Sequence, residues 1–526
     1  MSSPSPTDAE EQKEKPSDDS VANDNATLAT KESVTAAQTK ETTVVEEGGI
    51  IPPKPTQGDA WRVASSSDNN NKSKRRLLVG ILVLLVIAAA VVVAVVVTQG
   101  DDDDDDDDDE RSTPAASIVL FENPSTVTWQ VQARINNPKI ANSNIFAVEL
   151  GMSADGTRLV VANKPVGAHV YHLNNGTWQI HSFLQDDNLA GFGAAVAMAP
   201  EGDEILVLGQ DEDADDISNN IVYAYRYKAE NDQWEKLDQV IEEFNDGDGI
   251  GWTTGFGPLG MGENGMLAVA SPQHGGKQGR QGLIRFFERT QTGPWNLQGR
   301  VEGKEADDYV GHVMRFSADG STVVSSFELK NTNERGFSSG IVWVWRRDQE
   351  TDEWKPLGAP ILGPRTGARL GYNFLAISRN GNTIVAGAYN PWGNNTAGVF
   401  VYDFVPAASS PEGDSWELRG GEALVALPGH FPQNGLCLSA DGSVLVMASF
   451  YGASVLQYDA ATQTWEQVGD IESDDESDFG PWVACTHDVR TIALGRTTSR
   501  PGEANGFEGF EGKVIIWTAV ESSDNE

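Results

Sequence analysis

Between residues 117 and 520 one unit recurs seven times. A repeated unit of this length cannot bury its own apolar face and must stack on its neighbours. Each unit opens with a short strand that ends in a tight turn of the Asp-Gly type. The turns are SADG at 153–156, APEGD at 199–203, GENG at 262–265, SADG at 317–320, SRNG at 378–381, SADG at 439–442 and a degenerate THDV at 486–489. Asp-Gly and Asn-Gly supply the positive φ angles that tight hairpins need. A second strand follows each turn, such as LVVA at 159–162 or IVAGA at 384–388, apolar on consecutive residues without alternation. That pattern predicts a sheet covered on both faces. A third strand comes after a loop, as in IVYAYRY from Ile221 and IVWVWRR from Ile341, and a fourth carries one tryptophan. Four antiparallel strands make a propeller blade. The expected fold class is therefore all-β, a seven-bladed β-propeller of four-stranded antiparallel blades spanning 117–520.

The tryptophans predict how the ring closes. Trp178, Trp234, Trp295, Trp354, Trp416 and Trp465 follow the first six units, and the seventh ends near Val520 without one. A surplus tryptophan strand, STVTWQV with Trp129, precedes the first unit. Residues 125–131 are expected to pair antiparallel with the third strand of the seventh blade, near Val514 to Trp517, as its outermost strand. The two cysteines, Cys437 and Cys485, lie just before the turns of blades six and seven, on innermost strands. Their offset of one residue relative to the turns puts them on opposite sheet faces. That parity permits a disulfide if the Cα atoms come within about 7 Å; two buried free thiols are the alternative.

The units resemble FG-GAP-type repeats, the family of the integrin α-subunit propeller. The residues that carry the likeness are the G-F-G of 191–193 and 255–257, the SADG turns and the VAGA of 385–388. The fuller pattern runs from Trp354, Leu357 and Gly358 through Gly371 and 378–381 to 398–402. The resemblance implies a propeller and a binding or adhesion ectodomain, and it is weak for function. Members of the family often carry a D-x-D-x-D-G calcium loop. Here the nearest candidates are Asp211, Asp213 and Asp215 in DEDADD, and Asp246 and Asp248 in NDGDG, neither with the full spacing. Ca2+ is the one cofactor these loops point to; a solvated acidic loop is the alternative.

Ahead of the repeats, Leu77 to Thr98 is a run of 22 residues without charge or proline. A bilayer needs about 20 apolar residues, so 77–98 is expected to span one. Lys72, Lys74, Arg75 and Arg76 precede it, and acids from Asp101 to Glu110 follow it. Lys and Arg stay on the cytoplasmic side, which predicts a single-pass type II signal anchor with the C-terminal domain extracytoplasmic, at the cell surface or in an endomembrane. The polar segment 1–76, with Trp61 its only aromatic, cannot offset its ordering entropy and is expected to be a disordered cytosolic tail. Segment 99–116 is expected to be an extended acidic linker, and 521–526 a disordered C-terminus. On the exterior side the sequons at Asn175 and Asn394 are candidate glycosylation sites.

A net charge of −40 argues against nucleic-acid partners, which require basic patches. No G-x-S-x-G or H-E-x-x-H motif is present, so no catalytic residue is assigned. His169 and His172 sit three apart on one strand, on opposite faces, which is poor metal geometry. The SADG turns are similar to the Asp-box of sialidases but lack its tryptophan and spacing. Asp211-Glu212-Asp213 is a D-x-D of the kind Golgi glycosyltransferases use, without the α/β domain such enzymes need. The expected function is a membrane-tethered binding, adhesion or scaffold module whose partners are the lipid bilayer, through 77–98, and a protein or glycan on the propeller rim. The alternative is a lumenal propeller enzyme acting on glycans, which would need two carboxylates about 5–10 Å apart on the axis.

Overall fold

The computed structural model describes Phe121 and residues 127–521, apart from the connecting segments 139–144, 187–188, 212–219, 240–256, 276–278, 290–294, 394–396, 410–412, 422–423, 426–434, 450–451, 472–481 and 497–511. The expected tail, membrane span and acidic linker lie outside the described residues, as do Asp213, Asp215, Asp246, Asp248 and Asn394. Among the described residues no helix is long and apolar enough to cross a membrane.

Seven antiparallel sheets form the blades. Blade one runs Ile145–Met152, Arg158–Lys164, Gly167–Asn174, Thr177–Leu184 from inside to outside, and the next five repeat this order. Blades four and five each add a short piece, Ile361–Leu362 and Leu424–Val425, to the outer side of the third strand. The second strands are the most buried: Met266–Ser271, Thr322–Phe327 and Thr383–Ala388 are buried at every residue. Their unbroken apolar pattern follows from neighbours packing on both faces. The buried apolar side chains fall into seven clusters, one per seam between adjacent blades.

The first turns of blades one and three to seven are locked by their own side chains, while that of blade two is closed by backbone bonds. In blade one Ser153 Oγ donates to Asp155 Oδ1 (2.6 Å), which also accepts the Thr157 N–H (2.9 Å). The degenerate turn of blade seven builds the same knot from Thr486, Asp488 and Arg490. It places Val489 at φ 58°, where the other blades use glycine. A β-branched residue is rarely found there, and this one is fully buried among apolar neighbours.

Blade seven consists of Trp482–Cys485, Thr491–Arg496, Lys513–Glu521 and, outermost, Val127–Asn136. The register differs from the sequence expectation. The strand starts at Val127 and runs on to Asn136; Trp129 faces Ala519, and Val514 faces Ile135 rather than the 125–131 segment. The seam then repeats a device used three times elsewhere. Trp354 lies against Gly299, Trp416 against Gly358 and Trp465 against Gly420, each glycine four residues after the preceding blade's tryptophan. Trp129 lies against Gly469 in the same way, and a Cβ on Gly469 would come 2.8 Å from the Val127 carbonyl oxygen. The Trp129 indole donates to the Val468 carbonyl (3.3 Å), as Trp416 donates to Leu357 (2.8 Å). The glycine four residues after the preceding blade's tryptophan thus serves a physical need: a Cβ there would meet the next blade's indole, at 2.8 Å from Trp354 at Gly299 and at 3.4 Å from Trp129 at Gly469. Between the innermost strands of blades six and seven, Cys437 and Cys485 are disulfide-bonded, with Cα atoms 6.3 Å apart.

The two ends of the ring differ. At one end first and second strands join through the tight turns, and Val127 enters opposite Glu521. At the other end lie the strand ends that the wider connections join: Asp211 and Asn220, Ser271 and Leu283, Phe327 and Ile341, Ala388 and Gly398, and Arg496 and Lys513 between second and third strands, and Gln239 and Leu259, and Ile471 and Trp482, between blades.

Candidate functional site

The first strands of all seven blades surround an axial cavity of about 330 Å³. Its wall is mostly apolar, with Met152, Met198, Met261, Phe316, Phe374 and Trp482 among the lining residues. Two charged groups interrupt it. Glu149 stands in blade one at a pairing irregularity between Phe146 and Leu150, where Ala147 takes φ 64°. This break turns an acid from an otherwise apolar strand toward the axis. Its Oε2 accepts the Val196 N–H of blade two (3.0 Å), and it also accepts the backbone N–H of Gly257, at the entry to blade three. The charge beside it is Arg315 of blade four. Burial pushes the Glu149 carboxyl up to about 8, against the lowering pull of Arg315 and the two amides. Burial likewise lowers Arg315, while Glu149 raises it. Arg315 Nη1 donates to its neighbour's carbonyl, Met314 (2.8 Å), and a Cβ on Gly257 would lie 2.0 Å from that nitrogen. Only a glycine lets the guanidinium settle there.

The turn end of the channel is a collar. The second residue of each tight turn donates its N–H to the same position of the next blade: Ala154 to Pro200 (2.7 Å), Glu263 to Ala318 (2.6 Å), Arg379 to Ala440 (2.9 Å), Ala440 to His487 (2.8 Å) and His487 back to Ala154 (3.1 Å). In blade four Asp319 donates instead, to Arg379 (3.0 Å). One link is missing among the described residues, from blade two to blade three, because Pro200 has no N–H. Side chains at this position meet near the mouth. Arg379 Nε donates to Glu263 Oε1 (2.7 Å) and its Nη2 to Oε2, a two-pronged pair that passes over the small Ala318 from blade five to blade three. Burial lowers the nearby His487 imidazole, with Glu263 opposing.

Such a channel can hold a small apolar group and offer it one cation and one carboxyl whose proton is exchangeable near neutral pH. Among the described lining residues Glu149 is the one carboxylate, so the pair that glycoside hydrolysis requires is not assembled there. Neither Glu149 nor Arg315 carried a motif. Their signal was a lone acid in IFAVELGM and a lone base in VMRF, first strands that are otherwise apolar.

The residues singled out from sequence are dispersed. Asp211 ends the second strand of blade two, at the wide-connection end. Asn175 is exposed in the outer hairpin of blade one at φ 49°. The bonded cysteines both line the axial cavity, while Trp129 is on the outer wall. His169 and His172 do not converge: His169 meets Asn163 (3.1 Å) and stacks on Phe183, while His172 stacks on His181. No protein-family model matches the chain, and no curated protein matches it.

Proposed function

We propose that this chain is a type II single-pass membrane protein that presents an FG-GAP-like propeller to an extracytoplasmic protein or glycan, bound on the rim of wide connections. The observation that supports this most is the polarity of the ring. The chain enters at Val127, at the tight-turn end, and the longer connections leave from the opposite end. A tether arriving at one end leaves the other open to partners, and binding residues collect on loops held by a rigid scaffold. The strands that precede the acidic connections end at that same rim, at Asp211 and Gln239, and Ca2+ held by Asp211, Asp213, Asp215, Asp246 and Asp248 is proposed as its cofactor. A Cys437–Cys485 disulfide suits an oxidising compartment, as do N-glycans on Asn175, which is exposed, and on Asn394. The glycan-enzyme alternative lacks support in the channel, where the charged neighbour of Glu149 is Arg315.

The test has two parts. An N-glycan-cleaving enzyme should shift the wild-type protein, and the shift should vanish in Asn175→Gln with Asn394→Gln. An unglycosylated protein with its C-terminus in the cytosol would overturn the topology. Proximity biotinylation from the propeller should then label exterior partners, and replacing 240–258 with a short turn should remove them. Unchanged labelling would overturn the rim as the binding face.

A further inference from the structure

At the outer edge of the seam between blades one and two, the Trp-on-Gly device is absent. Four residues after Trp178 stands Ser182, where blades three to six have glycine. The space is occupied by polar rings. His172 lies on the third strand of blade one, Gly167–Asn174, and His181 on the outer strand, Thr177–Leu184. Pairing shifts between Val170–Ser182 and Tyr171–Ile180, so His181 is the extra residue of a bulge. The bulge brings its ring onto His172, with centroids 3.9 Å apart. Asp232 reaches in from the outer hairpin of blade two, at φ 55°. One donor atom from each of the three residues lies within 4.8 Å of the others.

We propose that His172, His181 and Asp232 form a binding site for a zinc-class divalent cation. Two features argue for it. His172 is only 8% exposed, and its Nε2 is buried without a hydrogen-bond partner. A buried ring nitrogen left bare is a group in need of a ligand. The other donors are already oriented: His181 Nδ1 meets Ser182 Oγ (2.7 Å), its Nε2 meets Asp232 Oδ1 (2.9 Å), and the Tyr227 hydroxyl donates to that same oxygen (2.6 Å). Such outer contacts fix ligand orientation in metal sites.

Two imidazoles and one carboxylate suit zinc and its neighbours, whereas Ca2+ and Mg2+ take oxygen ligands. Zinc–ligand bonds of about 2.0–2.2 Å bring donor atoms closer together than the present cluster. The contraction falls on the mobile partners, since Asp232 has a side chain 72% exposed. The stacked His181 ring also turns about its broad terminal torsion, exchanging its contact with Asp232 for the ion. Water on the solvent side completes four-fold coordination. The guanidinium of Arg158, 4.2 Å from the Tyr227 ring centroid, adds an opposing positive charge, which the Asp232 carboxylate offsets.

The experiment uses the full-length protein, stripped with chelator and titrated with Zn2+ under excess Ca2+, which occupies oxygen-only sites such as the acidic run at 101–110. The wild type should retain one Zn2+ that Ca2+ does not displace, and its thermal unfolding midpoint should rise on binding. Asp232→Asn should weaken that binding about tenfold or more, and His181→Ala should remove it together with the rise in midpoint. Both changes lie near the surface, and unfolding in chelator reports whether each variant keeps its fold. Equal zinc stoichiometry and affinity in wild type and both variants would overturn the site, and so would a wild type that retains no zinc.

Discussion

The two sides of the ring are held by different chemistry. Where blades six and seven meet, the seam is apolar and covalent: the Cys437–Cys485 bond lies inside, and Trp129 sits on Gly469 outside. Between them lies a buried cluster that includes Val446, Val455, Ile492 and Trp517. From blade one to blade four the inner wall is joined by one carboxyl, Glu149, and the outer edge of the first seam carries imidazoles in place of an indole on glycine. The difference follows chain connectivity. Blade seven is assembled from segments nearly 400 residues apart, as in the pairing of Val127 with Glu521. It is the place where the ring can come undone. Blades one to four are complete in sequence, so their seams can carry polar groups at some cost in cohesion.

The comparison breaks most sharply if the closing strand is dispensable. A chain starting at Asn136 should aggregate or unfold far below one starting at Ser117, and similar midpoints would refute closure. Trp129→Ala should cost about 3–5 kcal/mol, the usual range for a buried aromatic, measured by denaturant unfolding. At the polar seam, half-buried Trp234 should cost less when truncated to alanine, about 1–3 kcal/mol. A larger loss at Trp234 than at Trp129 would invert the comparison.

Next in size is the disulfide, which closes a loop with a sequence separation of 48. Its removal by Cys437→Ser with Cys485→Ser should cost about 4 kcal/mol on the chain-entropy account. Two alkylated thiols in the unreduced, denatured wild type would show that the bond is not made. Smaller again is Gly469→Ala. Its φ of 69° and the nearby Val127 oxygen should together cost about 1–3 kcal/mol. Gly176→Ala, at φ 75° with nothing within 4 Å, reports the backbone strain alone.

The last prediction separates the two sides by pH. The folded Glu149 carboxyl is raised from 4.5 to about 8, so the folded state holds its proton across that window while the unfolded chain has lost it. Its contribution is full below 4.5 and is lost as pH rises through 8. Glu149→Gln should flatten the fall of stability across this window by one proton, read from denaturant midpoints. Curves of equal slope for mutant and wild type would remove Glu149 as the titrating tie.

Repeat turns, blade count and the identity of the closing strand were legible because each depends on local pattern and on counting. The register of closure was legible only in part: residues 125–131 were expected to pair near Val514 to Trp517, and Val131 does face Trp517, but Trp129 faces Ala519, because the strand continues to Asn136 with a shift between Val131 and Ala133. Glu149 and Arg315 meet through the angle at which blades are set around the axis, a quantity no single unit encodes. His181 reaches His172 through a bulge, and a bulge alters strand parity without a marker in HVYHLNNGTWQIHS. The pattern from Trp354 through Leu357 to Gly358 was visible, but the glycine's purpose appears only when the next blade's indole is seen against it.

The direction of the closing strand has a mechanical consequence. Val127 lies at the end where the chain enters, and Asn136 lies at the rim of wide connections. A pull applied at Val127 against the opposite rim would run along the strand, not across it. The pairs from Val127–Glu521 to Asn136–Lys513 are then sheared together instead of being unzipped one at a time. The segment that completes the ring is thus also the one oriented to bear a pull.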